Sequence, residues 1–90
     1  MDYTLSEHAE TTIQERGIKP EWIDRALDDP DLSQPHKSDP ALRHVLKRIP
    51  ENESRVLRVV YNADKNPINI VTVYFDRTMK GKLWKSNSTR

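Results

Sequence analysis

Three side chains of this sequence have the types and settings needed for acid–base chemistry at a phosphodiester: His8, Arg58 and Tyr74. A histidine can take or give a proton near neutral pH, so His8 is a candidate general acid or base. The planar fork of an arginine can hold two phosphate oxygens, and a phenol can donate a hydrogen bond to another. The three residues are therefore candidates for a catalytic set that acts on a phosphodiester.

The positions of these residues support that hypothesis and also leave structural alternatives open. His8 begins a predicted helix and is followed at steps of four by Thr12 and Arg16, which places the three on one face, directed toward the sheet edge. Arg58 lies between apolar neighbours in a predicted strand, where an unpaired charge would be costly. The alternatives are a solvated or capping role for His8 and a structural ion pair between Arg58 and Asp76 or another acid.

Further basic and hydroxyl side chains are candidates for holding an RNA backbone. They are Arg16, Arg43, His44, Lys47, Arg48, Thr72, Arg77, Lys80 and Lys82. The alternatives are that the lysines and arginines of the first long strand guard a solvated sheet edge, and that Thr72 and Tyr74 are simply residues that favour strands. The chain has no cysteine and its histidines are far apart in sequence, so we expect neither a metal site nor a cofactor.

The charges are divided unevenly along the chain. Residues 1–35 carry nine acidic and three basic side chains, a net charge of −6, whereas residues 36–90 carry five acidic and twelve basic ones, a net charge of +7. A basic half is the electrostatic pattern expected of a protein with an anionic partner. The alternative is that the two halves attract each other within the fold.

The order of sequence patterns predicts a single α+β domain over residues 1–78. A short strand at Tyr3–Leu5 is followed by a helix that Ser6 caps and Gly17 ends, and a second helix runs from Pro20 to Pro30. Residues 30–40 indicate a loop or a weak edge strand, and strands are expected over 41–49, 55–62 and 68–76. We therefore expect two helices packed on one face of an antiparallel sheet of three to four strands, with a basic, mobile tail over 79–90.

The alternation of side chains in the last strand predicts the faces of the sheet. Val71, Val73 and Phe75 form an apolar row expected to face the helices, and Ile70, Thr72, Tyr74 and Asp76 form the opposite row. The second face mixes apolar and polar residues, which suits a partner or a substrate better than bulk water. The alternative is that the tail covers this face through Leu83 and Trp84.

Several short stretches, in this order, resemble a family of small bacterial toxin-like domains of unassigned function over about residues 2–77. The stretches are residues 3–9, 15–18, 57–62 and 70–74, with a polar hairpin between the last two. The layout is similar to the RelE/ParE/BrnT superfamily of toxins from toxin–antitoxin pairs. The resemblance implies a metal-independent endoribonuclease acting on RNA, free or on the ribosome, neutralised by a small antitoxin that covers the sheet face.

Two other functions stay open at this point. ParE-like members of that superfamily act on DNA gyrase, so the resemblance also allows a toxin with a protein target, and the fold alone does not decide between them. The second is a non-catalytic module whose sheet face binds an antitoxin or another protein. No secretory signal or membrane span is visible in the sequence, so we expect a cytoplasmic location.

Overall fold

The computed structural model describes residues 1–80 and 82, which form two helices and a five-stranded sheet. The helices are α1 (Glu7–Arg16) and α2 (Pro20–Asp28). The strands are β1 (Tyr3–Leu5), β2 (Leu32–Pro35), β3 (Leu42–Ile49), β4 (Arg55–Asn62) and β5 (Ile68–Phe75), and short 3₁₀ turns lie at Pro50–Asn52 and Arg77–Met79. The α+β class and the two N-terminal helices agree with the prediction.

The two helices begin and end at the residues that the sequence indicated. The side chain of Ser6 accepts a hydrogen bond from the backbone N–H of Ala9 and so caps α1. Gly17 ends α1 at φ +62°, a left-handed conformation that glycine adopts without steric cost. Pro20 starts α2. Proline has no backbone N–H, but in the first turn of a helix this N–H would have no partner within the helix, so its absence costs nothing.

The sheet differs from the prediction in strand number and in direction. Its order is β1-β5-β4-β3-β2, with β1 parallel to β5 and the other neighbours antiparallel. The expected antiparallel sheet of three to four strands is therefore a mixed sheet of five. The local pattern of β1 does not show in which direction it pairs, because its partner β5 is distant in the sequence. Leu32–Pro35 forms an edge strand, which the prolines of residues 30–40 had left uncertain.

The predicted faces of β5 are wrong at its beginning because of a bulge. Val60 pairs with Thr72 while Tyr61 pairs with Ile70, so Val71 is an extra residue without a partner in β4. An extra residue reverses the alternation of side chains beyond it. Ile70 is consequently fully buried in the main core with Val73, rather than on the face that carries Thr72.

Each face of the sheet has its own apolar cluster. The helices cover the main cluster, in which the buried side chains of α2 (Trp22, Ile23, Ala26 and Leu27) pack on β3, β4 and β5. On the opposite face Leu46 and Val56 are fully buried, with Leu32 and Met79 packed against them. That face is thus partly covered by the 3₁₀ turn at Arg77–Met79. The alternative cover by Leu83 and Trp84 lies outside the described residues.

Ion pairs join the acidic helical half to the basic sheet half. The ammonium of Lys47 lies 3.3 Å from the carboxylate of Asp29 and 3.4 Å from that of Asp31, and Arg25 holds Glu51 at 2.8 Å. The guanidinium hydrogen bond lowers the pKa of Glu51 to about 2. Part of the charge asymmetry therefore acts within the fold. Among the described residues, neither helix has the length and apolar character needed to cross a bilayer.

Candidate functional site

A large groove lies at the seam between α1 and the free edge of β5. Strand β1 pairs only with Ile68–Ile70, so the rest of β5 has no strand on that side among the described residues. The groove has a volume of about 1150 Å³. We call it the seam groove; its lining includes His8, Thr12, Glu15, Arg16, Gly17, Trp22, Arg55, Thr72, Tyr74, Phe75, Asp76, Arg77 and Lys80.

His8 is fixed at the groove by the cap of its own helix. The hydroxyl of Ser6 accepts from the N–H of Ala9 at 3.0 Å and donates to the carbonyl of Val71 at 2.7 Å, which ties the start of α1 to the bulge of β5. In the first turn of the helix, His8 Nε2 lies 3.1 Å from Thr72 Oγ1. The ring is exposed, so it can reach both the threonine and a molecule in the groove.

Basic side chains from two parts of the chain line the groove together with this histidine. Arg16 comes from the same face of α1, as the spacing predicted, and Arg77 and Lys80 come from the end of the chain beyond β5. All three are exposed, and among the described residues none makes a salt bridge. Glu15 also lines the groove, but the basic groups outnumber the carboxylates. The groove therefore suits an anionic molecule.

Arg55 lines the seam groove and is absent from the residues singled out in the sequence. It begins β4 with the same parity as Leu57 and Val59, which face the helices. The alternation in β4 could have identified Arg55 from the sequence. A basic residue at the end of the row that faces the helices is expected to lie at the edge of the helical layer. Among residues 1–80 and 82 it makes one ion pair, an exposed contact of 3.3 Å with Glu53, which contributes little to stability.

Tyr74 contributes the exposed aromatic surface of the groove. Its side chain is 40% exposed, which is unusual for a large apolar residue in a strand of this protein. It lies two residues beyond Thr72, on the same row of β5. The structure thus brings together His8, Thr72 and Tyr74, and a phosphate group in the groove would be within reach of a histidine, a hydroxyl and a phenol.

Arg58, the third member of the predicted catalytic set, is engaged in an ion pair. Its Nε donates to Oδ2 of Asp76 at 2.9 Å and its Nη2 lies 2.7 Å from the same oxygen, and both side chains are at least 86% buried. This is the structural pair that the sequence had left as the alternative. Asp76 lines the seam groove while Arg58 does not, so Arg58 acts on the groove through its partner.

Asp76 also holds the turn that carries two of the basic groups. Its second oxygen accepts hydrogen bonds from the N–H and the hydroxyl of Thr78, at 3.0 and 2.6 Å, which caps the 3₁₀ turn Arg77–Met79. Burial by itself would raise the pKa of Asp76, but the hydrogen bonds from Thr78 and Arg58 outweigh it and lower that pKa. The ionised carboxylate therefore fixes the position of Arg77.

From Arg58 a chain of hydrogen bonds runs to the other end of the sheet. Arg58 Nη1 lies 2.8 Å from His44 Nδ1, and His44 Nε2 lies 2.8 Å from His36 Nδ1. Because a guanidinium only donates, His44 Nδ1 must accept, which places its proton on Nε2 and makes His36 Nδ1 an acceptor. Burial, followed by the charge of Arg58 and the neighbouring His36, lowers the pKa of His44, in agreement with a neutral ring.

The remaining candidates for RNA contact are placed elsewhere. Lys47 pairs with the acids that follow α2, and Arg48 donates to Ser54 Oγ at 3.2 Å. Arg43 and Lys82 are exposed and line neither the seam groove nor a smaller cavity beside His36 and His44. Of the predicted set, the groove thus collects His8, Arg16, Thr72, Tyr74, Arg77 and Lys80, and leaves out Arg43, His44, Lys47, Arg48, Arg58 and Lys82.

The seam groove offers the chemistry of histidine, arginine, lysine, hydroxyl, phenol and carboxylate groups. Within residues 1–80 and 82, no three His, Asp or Glu side chains come together in a way that could hold a metal ion. Comparison with known proteins gives one further finding. No curated protein and no solved structure matches the chain. The sequence profile of a domain of unknown function, DUF4258, matches residues 5–75, and the chain belongs to that family.

Proposed function

We propose that this protein is a metal-independent ribonuclease of the toxin type, which binds RNA in the seam groove and cleaves it with His8. The observation that carries the proposal is the position of His8: an exposed imidazole, held 3.1 Å from a hydroxyl, in a groove lined by four basic side chains. The resemblance of the sequence to toxin-like domains supports the same function.

The reaction that suits these groups is the attack of a ribose 2′-OH on the adjacent phosphorus. His8 takes the proton of the 2′-OH, the new O2′–P bond forms, and the P–O5′ bond breaks. Tyr74 donates its phenolic proton to the leaving 5′ oxygen. The products are a 2′,3′-cyclic phosphate on one fragment and a free 5′-OH on the other.

The basic side chains of the groove take over the role that the sequence had given to Arg58. Because Arg58 is held by Asp76, the groups that neutralise the phosphorane are Arg16 and Arg77, with Lys80 and Arg55 holding the flanking backbone. Arg58 becomes a positioning residue, which orients Asp76 and through it the turn that carries Arg77.

The test is cleavage of a single-stranded RNA by the purified protein in the presence of EDTA, with the fragment ends identified. We expect a 2′,3′-cyclic phosphate and a 5′-OH, and His8→Asn should lower the rate by about 10²- to 10⁴-fold, the usual contribution of a general base. Lys65→Ala is the control, because Lys65 is exposed in the turn between β4 and β5 and lies outside both cavities.

Two results would contradict the proposal. If the wild type leaves RNA intact, or if His8→Asn cleaves as fast as the wild type, the protein is not an enzyme of this kind. Slower growth on expression, without RNA cleavage, would instead favour a toxin that acts on a protein target. The antitoxin partner stays a prediction, and co-purification with the product of an adjacent short reading frame is its test.

A further inference from the structure

A second cavity lies on the face of the sheet opposite the helices, at the end of the hydrogen-bond chain. It has a volume of about 280 Å³ and is lined by Gln34, Pro35, His36, Lys37, His44 and Arg58. We call it the histidine cleft. It shares no lining residue with the seam groove, although Arg58 of the cleft pairs with Asp76 of the groove.

The polar side chains of the cleft are mostly donors. His44 gives its single proton to His36, so the proton of the neutral His36 ring sits on Nε2, which remains available to donate. Arg58 Nε donates to Asp76 and Arg58 Nη1 bonds to His44, while Nη2 lies 2.7 Å from Asp76, so N–H groups of the guanidinium remain without a hydrogen-bond partner among the described residues. Lys37 adds an exposed ammonium, and the cleft lining contains no carboxylate.

The rigidity of this arrangement comes from bonds within the cluster. The rings of His36 and His44 stack with their centroids 5.1 Å apart at 20°, and the guanidinium of Arg58 is fixed from its far side by Asp76. The carboxylate of Asp76 contacts only Nε and Nη2 of Arg58, so it does not use all of the N–H donors of the guanidinium. Donors that are held in place before a ligand arrives lose little freedom when it binds.

We propose that the histidine cleft is a binding site for a phosphate-like oxyanion, held by His36 Nε2, Lys37 Nζ and the remaining N–H groups of Arg58. The size of the cleft fits this ligand class, since sites for drug-sized molecules begin at about 300 Å³. Charge-assisted hydrogen bonds to a tetrahedral oxyanion are the strongest that such donors make. A metal ion fits less well, because the facing nitrogens of the two histidines are engaged with each other and with Arg58.

The experiment is a titration of the full chain with inorganic phosphate, followed by NMR of the histidine ring nitrogens and of arginine Nε. We expect saturable shifts of His36, His44 and Arg58. Lys37→Ala and His36→Asn should each weaken binding about tenfold, as expected for the loss of one hydrogen bond to a charged group. Both residues lie outside the apolar clusters, so these variants should fold.

The control variant and the position of the shifts separate this site from the groove. Lys65→Ala removes an exposed lysine outside both cavities and should leave the phosphate-induced shifts of His36, His44 and Arg58 unchanged. The proposal is overturned if the wild type shows no saturable shift. It is also overturned if Lys37→Ala binds phosphate as Lys65→Ala does, or if the shifts are confined to Arg16, Arg77 and their neighbours.

A competition experiment distinguishes a free phosphate ion from the terminal phosphate of a nucleic acid as the ligand of the cleft. A dinucleotide with a 5′-phosphate and the same dinucleotide with a 5′-OH are each added to the phosphate-bound protein. Displacement by the phosphorylated form alone supports the site and identifies a terminal phosphate as its ligand. Displacement by neither supports a site for the free ion. These outcomes do not depend on RNA cleavage, so they stand even if the proposed ribonuclease activity fails.

Discussion

The seam groove and the histidine cleft are both lined by histidine, arginine and lysine, but they differ in whether these side chains are paired. In the groove, Arg16 and Arg77 make no salt bridge within the described residues, and His8 has a single contact with a hydroxyl. In the cleft, Arg58 and His44 are joined to each other and to further partners through side chains that are largely buried. A charged group that is left unpaired on a groove can serve a ligand, whereas a paired one mainly serves the fold.

The largest expected effect is a difference in the free energy of unfolding between alanine variants of Arg58 and of Arg16. Arg58→Ala leaves the carboxylate of Asp76 buried without its charge partner, and breaking a buried pair in this way costs about 3–5 kcal/mol. Arg16→Ala removes an exposed side chain and should change the free energy of unfolding by no more than about 0.5 kcal/mol. Urea denaturation of the two variants measures both values. Equal losses would mean that the groove arginine is also structural.

The second effect is on RNA binding and reverses that order. Replacing Arg16 and Arg77 together by alanine should reduce the affinity for single-stranded RNA and flatten its salt dependence, by about 0.7 in slope for each lost phosphate contact. Replacing Arg43 and Lys65, which lie outside both cavities, is the matched control with the same loss of charge. If the two double variants bind alike, net charge and not the groove determines binding.

The third effect is a dependence of stability on pH that comes from the cleft. The pKa of His44 in the folded protein lies below its ordinary value of 6.5, so the unfolded chain binds the proton first as the pH falls. Stability is therefore fully present above about pH 6.5 and declines below it. Arg58, His36 and Lys37 are the charged or titratable groups beside the ring. Thermal unfolding at pH 7.5 and 5.5 measures the decline.

His44→Asn is the control for that dependence. The carboxamide oxygen of asparagine can accept from Arg58 as Nδ1 does, but it does not titrate. We expect the decline between pH 7.5 and 5.5 to be smaller in this variant. An unchanged decline would assign the effect to other groups and remove the argument that His44 is neutral in the fold.

The smallest effect tests the contact that orients His8. Thr72→Val keeps the shape of the side chain and its preference for a strand but removes the hydroxyl 3.1 Å from the imidazole. A partly exposed hydrogen bond contributes only about 0.5–1.5 kcal/mol, so unfolding should change little. RNA cleavage should fall because the ring loses its orientation. A large loss of stability without a loss of cleavage would indicate a structural role for the contact.

The sequence by itself determined the helices and the three long strands. Ser6, Gly17 and Pro20 fix the helix boundaries through local hydrogen bonds and backbone angles, which depend on few neighbours. The spacing of His8, Thr12 and Arg16 likewise follows from the helical period, and all three line the groove. The possible pairing of Arg58 with Asp76 was visible as an alternative, because a buried charge in a strand needs a partner.

The tertiary structure decided what depends on residues that are distant in sequence. The parallel pairing of β1 with β5 joins residues 65 positions apart, and the bulge at Val71 changes which side of β5 faces the core. Neither is encoded in local alternation, because the partner strand sets the register. The same long-range pairing leaves the edge of β5 open, and this edge creates the seam groove. The residue types therefore came from the sequence, but only packing decided which of them stayed unpaired.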